Sequence, residues 1–362
     1  LKTALIFQSS KALGDRLFIT WMPKYLKRNK GFDKVYCATW KENACFWDNN
    51  PFVNGIIELE TYAEKKTEEL LTEWGGKYTE VYDIRWMVEG EYLKLSTEPT
   101  STLIKRREKA KGVNYYNCYQ KLGLNPENPK PDLYLTDAEK ELIKKYKDEG
   151  KTRIAWQLQG SGRNKQLIFL PGYILSLAER YKEIEQWVVG DAGQAIEAFE
   201  IFPNIKDMRG KWTVRQSMVM ANIFDLIVGP ESYWINVAGA FDIPSLCFYS
   251  MSSPDNLTRY FNHAHSIIPK CECSPCYLIC KDFRQILQLD KRASARDMEN
   301  DCIVRNPNDY WNVLGYKCTV QIDHRQAIDK IISIVFDRKR IWTGKELMPG
   351  RRVDSRLVRP VH

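Results

Sequence analysis

Histidine is almost missing from this chain, with 4 residues in 362. Two of them, His263 and His265, fall in the segment YFNHAHS, which reads as structural, and no Ser–His–Asp relay can be assembled. Long apolar runs are missing as well. Nothing approaches the roughly 18 residues of a membrane span, and no stretch has the basic-then-apolar cast of a secretory leader. A cytoplasmic protein is therefore expected, at most peripheral to a membrane surface. Low-complexity tracts are lacking, and neither the P-loop nor the dinucleotide-binding glycine spacing occurs.

What is present points to a globular enzyme-sized chain. Its 362 residues exceed one ordinary core, so two domains are expected. Lys and Arg number 54 against 46 Asp and Glu, for a net charge of +8. That excess suits anionic ligands such as nucleotides without requiring nucleic acid. Of the 10 cysteines, Cys271, Cys273, Cys276, Cys280 and Cys302 crowd one segment. Such crowding looks more like a metal site than a disulfide framework.

Strand-like and helix-like segments alternate through the first half. TALIF, KVYCAT, VNGIIEL and TEVYDIRW read as strands, while DRLFITWMPKYLKRN (residues 15–29) and KENACFWDNN read as helices. The Pro- and Asn-rich NPENPKPDLYL and a charged helix close this half near Gly150. The pattern then restarts with TRIAWQLQG and continues through IEQWVVGD, FDLIVGP and PSLCFYS as strands. GYILSLAERYK, AGQAIEAFEIF, TVRQSMVMANI and SYWINVAGAFD are the intervening helices. Parallel βαβ units in two Rossmann-like halves follow from this alternation. Ligands in such sheets sit beyond the carboxyl ends of the strands. Asp15, Gln159 to Lys165, Gly190, Asp191, Gly229 to Ser232 and Ser250 to Pro254 all follow strands, and are expected to line one cleft.

Several of these stretches carry chemistry. Gly14-Asp15 stands where an apolar helix begins, so Asp15 is either a helix cap or a base aimed into the cleft. In QLQGSGRNK, Gly160 permits close approach to a phosphate while Arg163 and Lys165 can neutralise it; a solvated surface loop is the plainer alternative. In IVGPESYWINVAGAF, a buried strand runs through Gly229 into Glu231, Ser232 and Tyr233 at a helix start. The N–H groups there can hold a pyrophosphate, or Glu231 is simply a first-turn acid. CECSPCYLIC with Cys302 has ligand-like spacing for a closed tetrahedral zinc or single-iron site. Cys273, Cys276, Cys280 and Cys302 are the expected ligands, with Cys271 in reserve, and no catalytic role is expected for the metal. Lys105, Arg106 and Arg107 head a basic cluster suited to an anionic acceptor, or to a solvated helix face.

Taken together, these motifs resemble the ADP-heptose:lipopolysaccharide heptosyltransferase family, over residues 3 to about 335. ALGDRLFITWMPKYLKR is similar to the family's opening, and GRNK to the loop ending in its phosphate-binding lysine. RGKWTVRQSMVMANIFDLIVGPESYWINVAGAFDIPSLCFYSMSSPDN is similar to its longest signature, and some members share the CSPC loop. The resemblance implies a GT-B fold: two Rossmann-like α/β domains facing across a cleft. Residues 1–149 would bind the acceptor. Residues 150–340, with the cysteine-rich loop 271–302, would bind the nucleotide sugar, and a basic tail would span 341–362. The implied activity is metal-independent, inverting transfer of a hexose or heptose from a nucleotide-activated, heptose-like donor. Asp15 would be the general base and Lys165 would bind the donor phosphates. Glu231 would lie by the donor sugar, and Ser232 and Tyr233 where amides meet the pyrophosphate. A phosphorylated glycolipid core is the implied acceptor. Three departures stand out: Glu-Ser-Tyr replaces Asp, Thr/Ser, Gly at the turn, Asn236 replaces a histidine, and SMSSP lacks the family's glycine. They keep open a transferase acting on protein or on modified bases in DNA, and a non-catalytic nucleotide-sugar or nucleic-acid binding protein.

Overall fold

A computed structural model describes residues 1–343 apart from Lys11 and residues 63–64, 86–87, 89–90, 92–93, 96–102, 163–164, 194–195, 272–273, 278–302 and 306–313. Two parallel sheets organise it. The first has the order β3-β2-β1-β4, from β1 (Thr3–Phe7), β2 (Lys34–Thr39), β3 (Gly55–Glu58) and β4 (Glu80–Asp83). The second has six strands in the order β10-β9-β8-β5-β6-β7. They are β5 (Thr152–Gln157), β6 (Ile184–Val189), β7 (Ile205–Asp207), β8 (Leu226–Pro230), β9 (Ser245–Phe248) and β10 (Ala264–Ile267). Counted within its own sheet, this is the 3-2-1-4-5-6 order of the doubly wound nucleotide-binding fold, and the first sheet repeats its 3-2-1-4 portion. Two such sheets in one chain make the GT-B arrangement.

The central strands are continuous apolar runs because both of their faces are covered; β8 and β9 are buried at every residue. Around the first sheet lie α1 (Leu13–Leu17), α2 (Met22–Asn29), α3 (Thr67–Lys77), α4 (Leu103–Lys111) and α5 (Tyr115–Lys121). After α6 (Asp137–Lys147) come α7 (Leu170–Arg180), α8 (Val214–Ala221), α9 (Tyr233–Ala240), α10 (Pro254–Leu257), α11 (Lys317–Val320) and α12 (His324–Thr343). Capping boxes start two of them: Thr136 with Glu139 for α6, and Thr213 with Gln216 for α8.

Residues 15–29 do not form one helix. The backbone tightens after α1, where Thr20 N–H bonds the Leu17 carbonyl and Met22 N–H the Ile19 carbonyl. Pro23 then opens α2, because it has no N–H to continue the earlier ladder. Among the described residues, KENACFWDNN and AGQAIEAFEIF give short 3₁₀ turns, Lys41–Trp47 and Glu197–Ile201, in place of the expected helices.

The two sheets share an apolar cluster. Leu17, Phe18 and Phe46 from the first half pack with Trp187, Tyr233, Trp234 and Val237 from the second, so α1 lies against α9. Gly239 makes room there: a Cβ at that position would stand 2.5 Å from the Phe261 ring, which in turn stacks on Phe18 at 6.4 Å. Arg215 of α8 reinforces the junction. It takes both oxygens of Glu139 at 2.8 and 2.7 Å and donates to the carbonyls of Tyr134 and Cys45.

Candidate functional site

Strand order reverses beside β1 in the first sheet and between β5 and β8 in the second, and a crevice opens at such points. A cavity of about 520 Å³ lies there. Gly14 and Asp15 bound it from the first half, and Gly160, Lys165, Gly190, Asp191, Glu231, Ser232 and Tyr233 from the second. Gln159, Ser161, Met251 and Ser252, also expected to face one cleft, join the lining. Gly229 is not in the lining. It backs onto Gln157, whose Cβ lies 2.9 Å from where a Gly229 Cβ would stand, so only glycine lets β8 run this close to β5.

Asp15 is not a cap. The helix starts earlier, at Leu13, and its N-cap residue Ala12 carries no capping side chain. Instead each carboxylate oxygen accepts one hydroxyl: Oδ1 from Tyr115 at 2.8 Å and Oδ2 from Ser10 at 3.0 Å. The next residue, Arg16, is buried to 1% exposure. Its guanidinium donates to the Ser10 carbonyl and the Thr39 hydroxyl, pinning the loop that precedes α1. Burial pushes Arg16 down to about 10, against the opposing pull of Asp15 and Glu42.

Across the cavity, Lys165 Nζ donates to the backbone carbonyl of Glu231 at 3.0 Å. The loop carrying Lys165 closes on itself through the Gly160 N–H to Lys165 carbonyl bond at 3.1 Å. Gln157, at the end of β5, donates to the Ser232 hydroxyl at 3.1 Å and to the Gln159 carbonyl at 3.0 Å. Its own Oε1 is buried without a partner among the described residues. Ser232 is the N-cap residue of α9 but makes no side-chain cap bond, which leaves the first N–H groups of that helix uncapped by it. Tyr233 turns its hydroxyl to Ser217 and the Val214 carbonyl, and burial pushes its phenol well up.

Glu231 is 3% exposed, and both oxygens of its carboxylate are engaged by the loop after β9. Ser250 N–H reaches Oε2 at 2.7 Å, while the Ser250 hydroxyl, Met251 N–H and Ser252 N–H reach Oε1 at 2.9, 3.0 and 3.3 Å. The side chain anchors that loop and does not cap the first turn of α9. Met208, Trp212 and Val214 add an apolar wall, with Trp212 stacked on Trp187 at 6.0 Å.

Other expected residues lie elsewhere. Lys105 is exposed on α4, outside the cavity lining, and the side chains of Arg106 and Arg107 are outside the described residues. Arg163, Cys273, Cys280 and Cys302 also fall outside them. Cys271 is buried and Cys276 half-buried. Among the described residues no group of three His, Cys, Asp or Glu side chains is placed to hold a metal. Ser10, Tyr115, Arg16 and Gln157 were not singled out from the sequence. The signal for Tyr115 was the YYNCY spacing, which puts Tyr115 and Tyr119 one turn apart on one helix face.

No protein-family model and no curated protein matches the chain. Solved structures do. A family 9 glycosyltransferase from Veillonella parvula is 12% identical, aligns over 93% of this chain and 98% of its own, and gives a TM-score of 0.63. ADP-heptose lipopolysaccharide heptosyltransferase II from E. coli is 16% identical over 94% of this chain and 100% of its own, with a TM-score of 0.58. The dodecameric iron-containing heptosyltransferase TibC of E. coli, in complex with ADP-D-β-D-heptose, is 12% identical over 95% of this chain and 79% of its own, at 0.55. At such identities the likeness is one of fold, and that fold is GT-B.

Proposed function

We propose that the chain is an inverting glycosyltransferase that uses a nucleotide-activated, heptose-like sugar. One observation carries this: a single cavity is bounded by a carboxylate from the first sheet and by a lysine and a helix start from the second. The acceptor hydroxyl attacks the anomeric carbon while Asp15 takes its proton. The bond from that carbon to the diphosphate breaks in the same displacement. Lys165 and the first N–H groups of α9 stabilise the charge on the leaving diphosphate, acting where charge develops. Met208, Trp212 and Val214 offer the nucleobase an apolar wall. The three fold relatives support the reaction class, and the two heptosyltransferases among them favour ADP-heptose as donor.

The acceptor is proposed to be a phosphorylated glycolipid core, met in the cytoplasm at a membrane surface, with Lys105, Arg106 and Arg107 on its side of the protein. A structural zinc or iron is proposed for the cysteines around 271–302. The iron in TibC favours iron. Elemental analysis of the purified full chain should find one metal per chain, and a metal-free folded chain removes that part. For the reaction itself, the test is thermal-shift screening against a panel of nucleotide sugars, followed by assay of transfer to a deacylated lipopolysaccharide core. ADP-heptose should raise the melting temperature and be consumed. A chain that neither binds nor consumes any sugar nucleotide refutes the proposal.

A further inference from the structure

We infer that Tyr115 is the positioning residue of the Asp15 base, and that its phenol, with the Ser10 hydroxyl, aims the carboxylate at the acceptor. This rests on the glycosyltransferase reading above and deepens it. A carboxylate oxygen has two lone pairs. Tyr115 takes one on Oδ1 and Ser10 one on Oδ2, at 2.8 and 3.0 Å, so each oxygen keeps one lone pair while rotation of the carboxylate is blocked. Both holders are uncharged. Among the described residues no cation forms an ion pair with Asp15, because neighbouring Arg16 gives its donors to the Ser10 carbonyl and to Thr39. A bound cation would fix the carboxylate but blunt it as a base; two hydroxyls orient it at far smaller cost to basicity.

The holders are themselves held. Asn114 caps α5, accepting from Asn117 N–H at 2.9 Å. The Tyr115 ring stacks on Phe18 at 4.2 Å with 16° between the planes. One turn later the buried Tyr119 donates to the Phe18 carbonyl. Two tyrosines on one face of α5 thus grip α1, one through its carboxylate and the other through its backbone. Ser10 has a fixed direction too: its hydroxyl accepts from Ala12 N–H at 3.1 Å, which leaves its proton for Asp15. Both Tyr115 and Asp15 line the cavity.

The experiment compares Tyr115→Phe, Tyr119→Phe and Asp15→Asn in the full chain, with ADP-heptose as donor and deacylated lipopolysaccharide core as acceptor. Tyr115→Phe should lower kcat about 10- to 100-fold, the cost of a base out of place by about 1 Å, with donor KM unchanged. Tyr119→Phe, which loses a packing anchor and no contact to Asp15, should lose melting temperature and keep kcat. A crystal structure of Tyr115→Phe should show the Asp15 carboxylate turned from its present position. An inactive Asp15→Asn beside a fully active Tyr115→Phe overturns the inference and leaves the glycosyltransferase reading standing. A fully active Asp15→Asn overturns that reading. Equal kcat losses in the two tyrosine variants reduce Tyr115 to packing. If wild type transfers nothing from these probes, an unmoved Asp15 in the Tyr115→Phe crystal still refutes the positioning role.

Discussion

Replacing Glu231 by Gln should cost the protein stability before it costs anything else. Four donors converge on the carboxylate: three on Oε1 and the Ser250 N–H on Oε2 at 2.7 Å. A glutamine can put its carbonyl where Oε1 stands and keep three bonds, now to a neutral acceptor. Its NH₂ must then replace Oε2 and face the Ser250 N–H, donor against donor. An orphaned buried N–H costs about 1–3 kcal/mol, and bonds to a charged group are worth about twice neutral ones. The sum is about 2–4 kcal/mol. Glu231→Ala empties all four positions and should cost about 3–5 kcal/mol, moderated by water entering from the cavity. Urea unfolding monitored by tryptophan fluorescence gives both numbers, and ADP-heptose titration gives the donor affinity alongside. Glu231→Gln as stable as wild type, but with weakened donor affinity, would refute the anchoring role and make the side chain a donor ligand.

Three further outcomes are expected. Asp15→Asn should lose transfer by about 10² to 10⁴, the usual worth of a general base, while ADP affinity stays near wild type; single-turnover assay and calorimetry measure the two. Lys165→Met should weaken ADP binding by about 10- to 100-fold, the loss of one charge-assisted contact of about 1.5–3 kcal/mol, and equal calorimetric affinities would remove Lys165 from the phosphate site. His324, at the start of α12, lies with Nδ1 2.5 Å from the Tyr173 hydroxyl, and burial holds its imidazole below the ordinary 6.5. The unfolded chain therefore takes up the proton first as pH falls, so the stability His324 contributes is full above about pH 6.5 and is lost below it. His324→Gln should flatten the acid limb of melting temperature against pH, and parallel limbs would count against it.

The first sheet and the four inner strands of the second were legible because a strand covered on two faces must be apolar along its length, as in TALIF, LIVG and SLCF; the short, half-buried edge strands β7 and β10 carry no such run and went unread. The topology then placed the loops after β1, β5 and β8 at the reversal points, and the cavity with them. The partners within that cavity were not legible. Tyr115 meets Asp15 across 100 residues, and no periodicity in either segment encodes the meeting. Glu231 reads as a first-turn acid because its neighbours are helical, yet its carboxylate is fixed by backbone amides 19 to 21 residues on, and backbone amides leave no mark in a sequence. The break before Pro23 was visible in principle. Leu17, Trp21, Met22 and Leu26 keep helical spacing across it, although Pro cannot bond to the carbonyl four residues back.

The packing of α1 on α9 has a mechanical consequence. Asp15 sits in α1, and α9 begins at the helix start proposed to hold the diphosphate, so this contact adjoins the groups proposed to react. At Gly14 the two helices approach so closely that a Cβ would stand 3.1 Å from Asn236 Nδ2. A rocking of one sheet against the other that preserved this contact would have it as its fulcrum. Displacement grows with distance from a fulcrum, so the rims of the crevice would travel further than Asp15, which lies beside it. Such a motion would let the proposed acceptor enter, or a spent nucleotide leave, at the rims without resetting the centre.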